Sequence, residues 1–168
     1  MSNIKSKQIG SYGSYIFYRH RQACWHNYGG ATMTNLKNKM KMFETMINTA
    51  DDTLAEELIA EDASFFTPAS PEPLYGGKGY LSVVHWMRQG FSDVQWIIKD
   101  IVEEENKVAV LWNLTGTHNG GFMGQKATGN KLDTTVMNIY YFNDDGKIVN
   151  DIAAEGIFGV FRALGLAK

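Results

Sequence analysis

Proton chemistry needs an ionisable side chain held where water cannot level its acidity, and in this chain of 168 residues two acids near the C-terminus meet that condition best. Asp151 and Glu155 stand in a run from Lys147 to about Glu155, in which the other odd positions include Val149 and Ala153. The preceding run, Leu132 to Phe142, carries Met137, Ile139 and Tyr141 at odd positions. Strand side chains alternate between faces with period two. Carried across the intervening turn, that alternation sets Asp151 and Glu155 on one face with Met137, Ile139 and Tyr141. A carboxyl on such a wall loses hydration, its pKa rises toward neutrality, and it can both accept and donate a proton. Asp151, with Glu155 second, is therefore the expected acid/base group. Met137, Ile139 and Tyr141 are the expected lining, and Trp112 stacks on a flat ligand if its face turns inward. The even positions Val136, Asn138, Tyr140, Phe142, Ile148, Asn150 and Ile152 are as apolar, so a bulge that flips the face, or solvent at the odd one, gives the opposite assignment.

Other chemistries find little support. The single cysteine, Cys24, can form no internal disulfide, and a Cys-rich zinc site is excluded. The four histidines are dispersed, with His20 and His26 near the start and His85 and His118 far apart, so no metal is expected. His118, followed by Gly120, Gly121 and Gly124, is expected to shape a loop at the pocket rim and to contact ligand. No phosphate-binding glycine loop, His-Glu-x-x-His or nucleophile elbow occurs. No cofactor is implied.

The elements that must position these residues are readable in order. Leu36, Met40, Phe43 and Ile47 form a helical stripe over about 35–49. A short second helix begins at Asp51-Asp52-Thr53, where Thr53 and Glu56 have capping-box spacing. Ala63 to Thr67 reads as a strand, the stretch through Gly76, Gly77 and Gly79 as a loop, and Tyr80, Val84 and Met87 as a third helix ending near Gly90. Everything after Ser92 reads as sheet: strands around Val94–Ile98, Val108–Leu114, Leu132–Phe142 and Lys147–Glu155, then a final helical segment, Ile157 to Leu164. Helices followed by a long antiparallel sheet make an α+β domain. A sheet apolar on both faces, with helices enough for one, implies a second copy of the chain on the other, hence a homodimer.

Charge divides the chain. Residues 1–32 hold four basic side chains (Lys5, Lys7, Arg19, Arg21) and no acid, whereas the remaining 12 basic and 18 acidic side chains leave residues 33–168 at −6. An acidic body repels phosphate backbones, so no nucleic-acid partner is expected. Residues 1–33 read as an irregular basic and aromatic extension, 34–168 as the domain, and Met33 as a natural start for it. No apolar run approaches the roughly 18 residues of a membrane span, and the first segment lacks an apolar core of signal-peptide type. No membrane partner is expected, and the cytoplasm is the expected compartment.

The run Trp112-Asn113-Leu114-Thr115-Gly116-Thr117-His118-Asn119-Gly120-Gly121-Phe122-Met123-Gly124, followed by Thr128-Gly129-Asn130-Lys131, Asp145-Gly146-Lys147-Ile148-Val149 and Leu164-Gly165, resembles the SnoaL-like polyketide cyclases of the NTF2-like superfamily. Asn48-Thr49-Ala50-Asp51 and Phe91-Ser92-Asp93-Val94 fit the same pattern, and the resemblance covers about 40–165. It implies an NTF2-like cone, a curved antiparallel sheet wrapped around N-terminal helices and enclosing an apolar pocket, in a dimer. It implies a small apolar ring or polyketide-like ligand and cofactor-free aldol cyclisation by a pocket acid. That acid's usual place falls on Ala153 here and a further one on Gly156, so Asp151 and Glu155 are the carboxylates that could substitute. Isomerisation, dehydration, or binding without chemistry stand as alternatives.

Overall fold

A computed structural model of the protein describes residues 35–67, 70, 72–154 and 156–167, with 154, 156 and 158 placed by backbone only. The extension and Glu155 lie outside the described residues. Helix α1 (Leu36–Thr49) follows the expected stripe and buries Leu36, Met40, Phe43, Met46 and Ile47. The Asn35 side chain accepts from the Asn38 N–H at its start, and Ala50, at φ 54°, turns the chain out of it. In α2 (Asp52–Leu58) the N-cap is Asp51, whose Oδ1 accepts from the Leu54 N–H at 2.9 Å, so the helix is capped two residues before Thr53 and by a single side chain, not by the expected box.

Two short strands, β1 (Ser64–Phe65) and β2 (Leu74–Tyr75), pair antiparallel and lead into α3 (Gly76–Gly90). The glycines expected to form a loop are instead the first turn of α3. Their lack of a side chain is a packing requirement: a Cβ at Gly77 would lie 2.8 Å from the Ala55 backbone. Close seating of α3 on α2 outweighs the roughly 1 kcal/mol that a glycine costs in a helix.

The main sheet is a four-stranded antiparallel meander, β3 (Gln95–Glu104), β4 (Lys107–Thr117), β5 (Lys131–Phe142) and β6 (Ile148–Ala154), ordered as in sequence and followed by α4 (Gly156–Ala163). It curves over the helices in the expected α+β arrangement. Helix α1 is fixed to the edge strand by side chains that act as strand partners: Asn48 donates to the Trp96 carbonyl at 2.7 Å and accepts from its N–H at 2.9 Å, and Glu44 accepts from the Ile98 N–H at 2.8 Å. On the inner face Phe43 meets Tyr140 edge-on at 5.1 Å between ring centroids, Tyr80 at 5.0 Å and Trp112 at 6.3 Å. Such aromatic contacts add to the large apolar area the rings already bury.

The outer face is apolar in rows. Val102, Ala109, Ile139 and Ile152 are successive cross-strand partners from β3 to β6, and Leu111 pairs with Met137 beside them.

Candidate active site

The register between β5 and β6 determines which residues can form a site. Phe142 faces Ile148, yet Tyr141 faces Asn150, so Val149 is an extra residue in β6 and the alternation slips by one. Beyond the bulge Asp151 opposes Tyr140 and Ala153 opposes Asn138. Directly opposed residues share a face. Asp151 therefore projects from the inner face, with the even positions of β5. The expected lining is corrected: Met137, Ile139 and Tyr141 lie on the outer face, where Met137 is 48% exposed beside Ile152 at 56%. Lys107 places its ammonium over the Tyr141 ring there, at 5.9 Å from the centroid.

Asp151 sits on the wall of a cleft of about 490 Å³. Phe66 and Thr67 follow β1 at one side; Val83, Trp86 and Met87 come from α3, Leu114 and Val136 from the sheet, Asn150 to Ala153 from β6, and Ile157 and Val160 from α4. Among the described residues, Asp151 is the one ionisable side chain of this lining. A smaller cavity of about 400 Å³, bordered by Glu56, Glu61, Lys78 and Lys147, is charged by contrast.

Burial pushes the Asp151 carboxyl up to about 6, opposed by Asn138, whose Nδ2 donates to Oδ2 at 2.5 Å. Tyr80 and Tyr140 lie behind it. Burial raises both phenols, and the nearby Asp151 charge raises them further. Their hydroxyls lie close enough for each to affect the other's ionisation. Trp112 Nε1 approaches the Tyr140 hydroxyl closely enough to favour its ionised form, but makes no hydrogen bond of standard geometry. The site is thus one carboxyl between an apolar cleft and a buried group of neutral donors.

Trp112 does turn inward. At 1% exposure, against Phe43 and Tyr140, it backs this group and does not line the cleft. His118 is corrected more sharply: it is fully buried and is not a rim residue of this cleft. Its Nδ1 accepts from the Thr128 N–H at 3.2 Å and lies 2.9 Å from Thr128 Oγ1, which in turn donates to the Ala163 carbonyl at 3.0 Å. The following loop is drawn over the end of α3, with the Asn119 and Gly120 N–H groups donating to the Gly90 carbonyl at 3.0 Å. A Cβ at Gly120 would lie 2.0 Å from the Gln89 oxygen, so these glycines serve close backbone approach.

Asn138, Tyr140, Tyr80 and Trp86 escape a reading of acids and periodicity. A single amide at position 138 in an otherwise apolar alternation is the one signal that points to them. Among the described residues, no three His, Cys, Asp or Glu side chains converge to hold a metal ion. No helix of the described residues is long and apolar enough to cross a membrane.

A curved antiparallel meander closed over α1, with an acid on the wall of an apolar cleft, is an NTF2-like α+β cone. The chain belongs to the SnoaL-like polyketide cyclase family, whose model matches residues 37–164. The crystal structure of wild-type IdmH, a proposed polyketide cyclase from Streptomyces antibioticus, is 26% identical, with a TM-score of 0.67 over 78% of this chain and 99% of its own. TsrD from Streptomyces laurentii, at 18% identity, matches with a TM-score of 0.69 over 82% and 99%. AclR from Streptomyces galilaeus, a proposed hydroxylase at 22% identity, matches with a TM-score of 0.66 over 80% and 83%. A search of curated proteins gives no match.

Proposed function

We propose that the cleft binds a neutral, largely apolar ring or polyketide-like molecule and that Asp151 transfers a proton on it, in a cofactor-free intramolecular aldol cyclisation. The observation that carries this reading is the Asp151 carboxyl, the one ionisable side chain among the described residues of an apolar wall, raised to about 6. A carboxyl near that value is ionised enough at neutral pH to act as a base and is still an effective acid. As carboxylate it removes a proton from a carbon between carbonyls; the electron pair passes to oxygen as an enolate. The enolate carbon attacks a second carbonyl of the same molecule, and the alkoxide so formed takes the proton back from Asp151. Membership of the cyclase family and the likeness to IdmH support this reaction class.

Ala153 and Gly156, where the resemblance places carboxylates, favour a second reading, binding without chemistry. A synthetic linear poly-β-ketone, followed by product chromatography, separates the two. Asp151→Asn lowers turnover by about 10²-fold or more on the first reading. Ligand binding that survives Asp151→Asn and Glu155→Gln, with no turnover by the parent protein, selects the second.

The outer face supports a homodimer. Val102 is 61% exposed and Ile152 56%, in one row that a second copy would cover.

A further inference from the structure

Asn138 is 7% exposed, on the inner face of β5 between Val136 and Tyr140. A buried amide there is costly unless its hydrogen bonds are made. Its cross-strand partner is Ala153, and that small side chain leaves open the space across which the amide reaches diagonally to Asp151, two residues back along β6. The contact is Nδ2–H to Oδ2, at 2.5 Å.

We propose that Asn138 is a positioning residue for Asp151: it holds Oδ2 from inside the sheet and leaves Oδ1 as the single proton-carrying oxygen on the cleft wall. This rests on the acid/base reading above. An amide does not titrate in this range, so it anchors the carboxylate without taking the proton. Among the described residues, the other titratable groups facing Asp151 are the phenols Tyr140, directly opposite on β5, and Tyr80 from α3. The contributions of β4 and α4 to the cleft, Leu114, Ile157 and Val160, carry no charge. One oxygen must therefore both take and return the proton, which confines the transfer to one face of the bound molecule. Donation to the ionised form also opposes burial and keeps a useful fraction of Asp151 basic at neutral pH.

The test uses the full chain and no ligand. Carbon-13 NMR follows the Asp151 carboxyl with pH, assigned by its loss in Asp151→Asn, with Glu155→Gln removing the neighbouring acid's signal. The side-chain amide of Asn138 is followed in parallel. The parent carboxyl titrates near 6, and the Asn138 amide protons move with the same midpoint, because the accepting oxygen loses its charge. In Asn138→Leu the Asp151 midpoint rises above the parent's, since the donor to the ionised form is gone. A packing role alone would lower the melting temperature and leave the midpoint in place. A parent midpoint near 4 defeats the acid/base reading itself. A parent midpoint near 6 with an Asn138 amide that does not titrate, or with an unchanged midpoint in a folded Asn138 variant, overturns the positioning role. The amide measurement needs no variant to fold.

Discussion

The two faces of β5 and β6 are nearly matched in apolar content and have opposite fates. The inner face carries Val136, Asn138, Tyr140 and, across the register, Asp151; the outer carries Met137, Ile139, Tyr141 and Ile152. One extra residue, Val149, decides which set the acid joins. Without the bulge, with Val149 taken into the ladder, Asp151 would oppose Ile139 on the outer face, among exposed methionine and isoleucine side chains, where its carboxyl would be hydrated and ordinary. With it, the acid is opposite Tyr140 and within reach of Asn138. Composition makes both faces greasy, but only register puts the acid on one of them.

The severest way to break this contrast is to delete Val149 and Asn150 together. Asp151 then follows Ile148 directly, opposes Tyr141 on the outer face and brings Ile152 inward, and a stability loss of about 3 kcal/mol or more is expected in denaturant unfolding. An unchanged midpoint would mean that the register does not hold the face. Asp151→Asn comes next and acts on function more than fold, by the turnover loss given above. On the other face, Ile139→Asp sets a charge in the apolar row and should turn a dimer into a monomer by light scattering at micromolar concentration. It should leave the Asp151 titration unmoved; a shift in that titration would show that the faces are not independent. A parent protein that is already monomeric removes the dimer from the account. The smallest effect is expected from starting the chain at Met33: residues 34–168 are proposed as the folding unit, so the melting temperature should hardly change. A large drop would make the extension structural.

Much of the fold is legible in the sequence for physical reasons. The stripe from Leu36 to Ile47 has one period, and Val108, Val110, Trp112 and Leu114 have another. Asp144-Asp145-Gly146 offers the turn between β5 and β6, and Gly146 takes the positive φ, 67°, that it suits. The first turn of α3 is not legible, because its glycines answer to the Ala55 backbone, a partner distant in sequence. The site is half legible. Asp151 stands out as an acid in an apolar run, whereas its side of the sheet depends on a bulge that alternation cannot reveal. Asn138 and Tyr140 become its neighbours only through cross-strand register, and Tyr80 only through the docking of α3. His118 shows the converse error: a histidine beside glycines suggests a rim, but those glycines let the loop press against Gln89 and Gly90 and bury the ring.

The central claim is that one carboxyl is kept on the inner wall at a cost to folding, and the pH dependence of stability measures that cost. The folded value of Asp151, about 6, lies above the unfolded value, so the native state binds the extra proton between about pH 4 and 6. This contribution favours the native state below that window and is lost as pH rises through it, by about 3 kcal/mol in total, of which about 2 falls between pH 4 and 7. Asp151→Asn removes it. The stability of the variant relative to the parent, from denaturant unfolding at successive pH values, should therefore rise by about 2 kcal/mol from pH 4 to 7 and then level off. A difference that stays flat across this range, or a parent that gains on the variant as pH rises, would place Asp151 in water and contradict the account.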